Sequence, residues 1–450
     1  MIYLLVRFRT KNFLSFQNEI VFDMTAGKGR SFNNRVYKYE GNKVLKFASL
    51  FGANGSGKSN LVKAIDFSKD YIIKNNDNSV IPCFYRINEN SKFETSIFEY
   101  EIELNNVIYK YGFELVLFNN SLKREWLSLI KSNKQINIFS REIDKGEYII
   151  GEYFSDKSLI NILQVFADGI KAENSILFLK NINQYKNIFE DFSEALIMKK
   201  IYDWFRFKLI VKSPESVLND YAFFMSSKNI EAIQNFFNDF DLSISKYEFV
   251  YCPLEKIALQ LPREIFQDFK NKLISDLNNA PNSQVMFGIN DDFYLAELDS
   301  GELKCETIVF YHGNSNAAFS MSEEPDGTKK IFKLMEILFQ EDDDVTYIVD
   351  EVDRCLHPLL TYNFINAYLK QKAPDKKCQL IVTSHECLLI DFSLLRKDEI
   401  WFVEKKDNAS NLIAIGNTTE RADKKLIKSH LLGEIAAPKI KDDAYRRNNQ

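Results

Sequence analysis

GANGSGKS, Gly52 to Ser59, puts glycines at 52, 55 and 57 directly ahead of Lys58 and Ser59. A short apolar run, Val44–Phe51, precedes it with the length of a buried parallel strand, and a helical pattern follows to about Asp70. A glycine loop between strand and helix lets backbone N–H groups wrap phosphate oxygens without Cβ clashes, and the helix N-terminus adds partial positive charge. Lys58 supplies a full charge at the β and γ phosphates, and the Ser59 hydroxyl is placed to ligate Mg²⁺. The expected nucleoside-triphosphate contacts are therefore Asn54, Gly55, Ser56, Gly57, Lys58, Ser59 and Asn60. The fold class that follows is α/β, with the loop at the end of a parallel strand.

Such a loop needs a carboxylate to hold the Mg²⁺ shell and a group to orient the attacking water. VTYIVDEVD, Val345–Asp353, offers both: a strand-like run ends in Asp350 as metal partner, and Glu351 follows as candidate base. Its distance from Lys58 along the chain requires a large insertion between the two motifs. LIVTSHE, Leu380–Glu386, adds a strand with His385 at its end, where an imidazole would meet the γ-phosphate. SEEPDGTKK, Ser322–Lys330, lies one helix and one strand ahead of Asp350. Asp326, Gly327 and Thr328 are expected to cap that helix and form a second anion site, facing a phosphate held by another subunit.

The 450 residues are 45% hydrophobic, enough for two or three cored units. A net charge of −5, from 58 basic and 63 acidic residues, does not favour a polyanion. Lys63, Lys69 and Lys74, and Lys199, Lys200, Arg206 and Lys208, are read as solvated helix faces. The six cysteines form no C-x-x-C pair and are expected reduced and mostly buried. No apolar run approaches the roughly 18 residues of a membrane span, so a soluble, cytoplasmic protein is expected. Alternating segments over 93–150 predict an antiparallel sheet, and 158–241 shifts to helical periodicity. The acidic run 341–344 reads as a solvated loop rather than a metal site.

These motifs together resemble the ABC-type ATPase heads of the SMC and RecF group. NFLSF, FGANGSGKSNLVKAI, SEEPDGTKKIFKL, VDEVDRCLHP and VTSHE, with DWFRFKLIVKSPES and FFNDFDLSISKYEF, look more closely like the AAA-labelled ABC-type ATPases of bacterial anti-phage and abortive-infection loci, including OLD-family relatives and the ATPase components of AbiL and PARIS. The resemblance implies an ABC-type P-loop head, a mixed sheet with an antiparallel β subdomain, carrying a mostly helical insertion. The expected divisions are an N-terminal lobe over 1–155, the insertion over 156–285, a C-terminal lobe over 286–420 and a polar tail over 421–450. It also implies ATP and Mg²⁺ sandwiched in a homo-oligomer, with Asp326, Gly327 and Thr328 of one copy facing the γ-phosphate on Lys58 of the other. Two departures stand out: Pro325 occupies the signature serine position, and His357 takes the place of the D-loop aspartate. No Q-loop glutamine is evident, with Asn88 the nearest substitute. Too little chain follows His385 for a Toprim domain, so no nuclease is expected here. The implied role is a regulatory ATPase controlling a separately encoded effector, a Toprim-like or RloB-like nuclease, in response to a phage-derived trigger. The alternative is a RecF-like or SMC-like DNA-binding ATPase.

Overall fold

The computed structural model describes residues 3–27, 29, 31–39, 42–74, 83–131, 134–171, 173–185, 187–214, 230–279, 284–339, 344–373 and 376–415. The expected polar tail and residues 341–343 of the acidic run lie outside them. The chain divides into two units: Met1–Pro214 with Asp342–Asp353 and Leu369–Gln450, and Glu215–Glu341 with Arg354–Tyr368.

In chain order the strands are β1 (Tyr3–Lys11), β2 (Ile20–Asp23), β3 (Val36–Tyr39), β4 (Asn42–Leu45), β5 (Phe47–Phe51), β6 (Ser96–Leu104), β7 (Val107–Val116), β8 (Ser121–Lys131), β9 (Lys134–Glu142), β10 (Glu147–Ile150), β11 (Leu209–Lys212), β12 (Ile244–Tyr251), β13 (Val285–Ile289), β14 (Asp292–Asp299), β15 (Glu302–His312), β16 (Ala318–Ser320), β17 (Thr346–Val349), β18 (Gln379–Ser384), β19 (Ile400–Lys406) and β20 (Ala409–Ala414).

The first unit holds two large sheets. One is antiparallel, in the order β10-β9-β8-β7-β6-β1-β2. Its inward face carries Phe8, Phe98, Tyr100 and Phe113, while the outward face carries a ladder of charges such as Arg9–Glu99 and Lys110–Glu99. This is the in-out alternation of a one-sided sheet. The other sheet runs β11-β17-β18-β5-β19-β20, and its first five strands are parallel neighbours. Every residue of β5, β17 and β18 is buried, as expected for strands covered on both faces.

Several expectations are corrected here. The run Val44–Phe51 is two strands: β4 turns back onto β3, and the chain breaks at Lys46, whose Nζ donates to Ala373 O at 2.6 Å. The helical stretch after Ser158 ends in β11, which pairs parallel with β17 and places Ile210 beside Tyr347. Residues 156–214 therefore belong to the first unit and not to a single insertion reaching 285. Their apolar side chains join the same core as the sheets: Trp204 and Phe205 lie against Tyr100 with ring centroids 6.0 and 4.9 Å away. Asp344, expected solvated, is buried and paired with Lys208 at 3.1 Å.

The second unit is built on β12-β15-β14-β13, with β16 on β15, and has its own core around Cys252, Leu273, Tyr294 and Cys305. It contains residues 286–341, so the expected boundary at 285 also shifts. The helix Asp326–Phe339 packs Phe332 against Phe237 and Phe310, at 5.5 and 4.7 Å. Cys252, Cys305 and Cys378 are buried, whereas Cys355 is exposed.

Candidate functional site

In the first unit, the C-terminal ends of β5, β17 and β18 lie side by side, with Val349 opposite Val382 and Ser384 opposite Phe51. Ligands of open parallel sheets collect at that edge. The carboxylate strand is not the immediate neighbour of β5: β18, which leads into His385, runs between them.

The loop Gly52–Gly57 leads from β5 into the helix Lys58–Ile73. Gly57 has φ 115°, and a Cβ there would press on the hydroxyls of Ser15 and Ser410. Those two serines clamp the loop. Ser410 Oγ donates to Ser56 O at 2.5 Å and lies 2.8 Å from Ser15 Oγ, which accepts from Asn60 Nδ2 at 2.7 Å. Asn54 and Gly55 form the exposed tip. Among the described residues, the buried Ser56 Oγ has no hydrogen-bond partner.

The sequence-derived residues converge. Lys58 is 4% exposed, and its Nζ donates to Gly52 O at 2.6 Å and Ala53 O at 3.1 Å. The same Nζ lies 3.2 Å from His385 Nδ1. An ammonium can only donate, so Nδ1 is the acceptor and the ring proton sits on Nε2. Ser59 Oγ donates to Asp350 Oδ1 at 3.1 Å. That hydroxyl–carboxylate pair is an all-oxygen donor set of the kind Mg²⁺ takes alongside phosphates and water, so Ser59 and Asp350 would hold it. The bound cation would offset charge on the β and γ phosphates. Glu351 sits at φ 50°, in the left-handed region uncommon for a non-glycine residue. Its N–H donates to Thr383 Oγ1 at 2.8 Å.

Besides the clamp serines Ser15 and Ser410, Thr383 and Asp353 escaped the sequence reading. Thr383 Oγ1 also donates to Asp350 Oδ1 at 2.5 Å, and Asp353 Oδ2 accepts from His385 N at 3.1 Å. Both stand inside quoted motifs, but a threonine in an apolar strand reads as a β-former, and a third acid after Asp350-Glu351 reads as turn. Asn88 caps its own short turn by accepting from Asn90 N at 3.0 Å.

Burial drives Lys58 down to about 8 from 10.5, opposed by Asp353, Asp350 and Glu351. His385 is lowered by burial and then by Lys58, which favours the neutral ring. A triphosphate stabilises the ammonium and raises its pKa, so between the free and bound values binding takes up a proton. Affinity for ATP should hold below about pH 7 and weaken by up to about tenfold per unit above pH 8. Titration with a fluorescent ATP analogue across that range checks this, and a flat profile would contradict it. For the nucleotide-free chain the sign is opposite: between about 8 and 10.5 the unfolded lysine binds more protons, so stability rises with pH.

In the second unit Asp326 is exposed and Thr328 is buried. The helix begins at Asp326, and Pro325 O accepts from Lys329 N at 3.0 Å, so Pro325 holds the capping position and Asp326 lies in the first turn. This corrects the expected cap. Ser322 N and Oγ both donate to Asp292, at 2.8 and 3.0 Å, and Lys329 Nζ donates to Asp291 and to Ser322 O, fixing the approach to the helix. His357, in the same unit, is exposed and caps the helix Pro358–Ala367 by accepting from Leu359 N at 3.2 Å.

A phosphate loop, a serine–aspartate pair and a terminal histidine on three parallel strands define a P-loop ATPase of mixed α/β fold. The family model described as "AAA domain, putative AbiEii toxin, Type IV TA system" matches residues 47–391, and the chain belongs to that family of ABC-type ATPases. It is also similar to the structural maintenance of chromosomes protein 3 homolog of Plasmodium falciparum (isolate 3D7), 22% identical over 289 residues. That stretch is 60% of this chain, which spans 21% of the relative's length. The family uses ATP, usually with Mg²⁺. Among the described residues no helix is long and apolar enough to cross a membrane.

Proposed function

We propose that the chain is an ABC-type ATPase head that hydrolyses ATP between paired copies and acts in the cytoplasm as sensor and regulatory scaffold of an anti-phage defence system. The observation that carries the ATPase reading is the Lys58–His385 and Ser59–Asp350 pairing at one sheet edge. Lys58 and the loop amides hold the triphosphate, Ser59 and Asp350 hold Mg²⁺, and Glu351 takes a proton from the attacking water. His385 offers its Nε2–H to the γ-phosphate. Asp326, Gly327 and Thr328 of a second copy complete the site. The 14-residue helix they open has first-turn amides to offer a phosphate, and Gly327 and Thr328 supply donors that Pro325 lacks. The effector is a separately encoded Toprim-like or RloB-like nuclease released by a phage-derived trigger.

Native mass spectrometry of Glu351→Gln with Mg²⁺ and ATP tests the pairing. A dimer or larger ring holding nucleotide is expected, and monomers at every concentration would overturn it. A second reading, an SMC-like ATPase that handles DNA, is favoured by the likeness to the Plasmodium protein. It needs a basic face, yet Lys74 is paired with Asp70 and Lys208 with Asp344. Salt-sensitive, ATP-stimulated DNA binding would favour it over the defence reading.

A further inference from the structure

Thr383 sits at the centre of the catalytic edge, and nothing in the ATPase reading yet uses it. It is fully buried in β18, between the strand of the phosphate loop and the strand of the carboxylates. Its hydroxyl has one proton and must accept from the Glu351 N–H, which can only donate. That proton is therefore committed to Asp350 Oδ1, 2.5 Å away. The Thr383 carbonyl accepts from Val352 N at 3.0 Å, so one residue holds three consecutive positions, Asp350, Glu351 and Val352.

We infer that Thr383 is a positioning residue that sets the metal carboxylate and the water-activating carboxylate as one unit. On the Asp350 side, its hydrogen bond fixes the carboxylate that, with the Ser59 hydroxyl, would hold the cation. On the Glu351 side, it pins a left-handed backbone that a glutamate does not hold by preference. Without the hydroxyl, Glu351 relaxes toward ordinary φ and its carboxylate swings off the γ-phosphate. Ground-state ATP binding rests on Lys58 and the loop amides, which Thr383 does not touch.

This inference rests on the ATPase reading, and the test separates the two. Thr383→Val keeps the shape of the buried side chain and removes the hydroxyl; Thr383→Ser restores it. Steady-state ATP hydrolysis and Mn²⁺ affinity in the presence of ATP, the latter by electron paramagnetic resonance, are measured for the full chain. Expected for Thr383→Val are kcat down about 10- to 100-fold, Mn²⁺ bound about 10-fold more weakly, and KM for ATP within about threefold of wild type. Thr383→Ser should recover most of both losses. If Thr383→Val matches wild type in kcat and Mn²⁺ affinity while Glu351→Gln is inactive, the inference is wrong and the ATPase reading stands. If Thr383→Ser is as impaired as Thr383→Val, the hydroxyl does not by itself set the two carboxylates and the inference also fails. A wild-type chain with neither turnover nor ATP-dependent Mn²⁺ binding overturns both.

Discussion

Lys58→Ala should reduce ATP affinity by at least about 30-fold, since truncating one member of a buried charge pair costs about 2–5 kcal/mol. The contacts of Lys58 show why the loss falls on binding. Lys58 lies under the loop, donating to the carbonyls of Gly52 and Ala53 and facing neutral His385. Burial already works against its charge, so the ammonium is held ready for a polyanion. Removing it orphans two carbonyls but also removes a costly buried cation, two opposing effects on folding. The melting temperature is therefore expected to change little while calorimetric ATP binding disappears. Parallel losses of both would mean that Lys58 is structural.

Glu351→Gln should behave in the opposite way. The amide keeps the side chain's size and leaves the N–H bond to Thr383 intact, so the backbone at φ 50° is held as before. What disappears is the ability to accept a proton. General-base contributions are typically 10²- to 10⁴-fold, and kcat should fall by that order while ATP affinity stays within a few-fold. Rapid-quench measurement of a single turnover distinguishes this from slow product release. Equal single-turnover rates would remove Glu351 from the chemistry.

The first half of the site was legible because its parts are contiguous. Glycines, Lys58 and Ser59 lie within eight residues, flanked by a strand and a helix whose patterns are local. Asp350 and His385 were legible as polar residues terminating apolar strands. Strand order was not: no local pattern says that β18 separates β5 from β17, so the bond between Thr383 and Asp350 was invisible. The clamp on the loop escaped for the same reason, since Ser15 and Ser410 meet across nearly the whole chain. β11 was hidden because KLIVK follows an aromatic helical stretch, and only its pairing with β17 makes it a strand. The division into units failed where tertiary packing overrode periodicity, with Trp204 and Phe205 tied to the core of the antiparallel sheet. The capping role given to Asp326 failed by one residue, the usual uncertainty of a helix start.

Phosphate release from ATP, measured for wild type, Lys58→Ala and Glu351→Gln purified side by side, tests most directly whether these residues form a hydrolytic site. Mg²⁺-dependent release by wild type alone, with ATP still bound by Glu351→Gln and not by Lys58→Ala, is the expected result. Equal release by all three, or none by wild type in any assembly state, would contradict it.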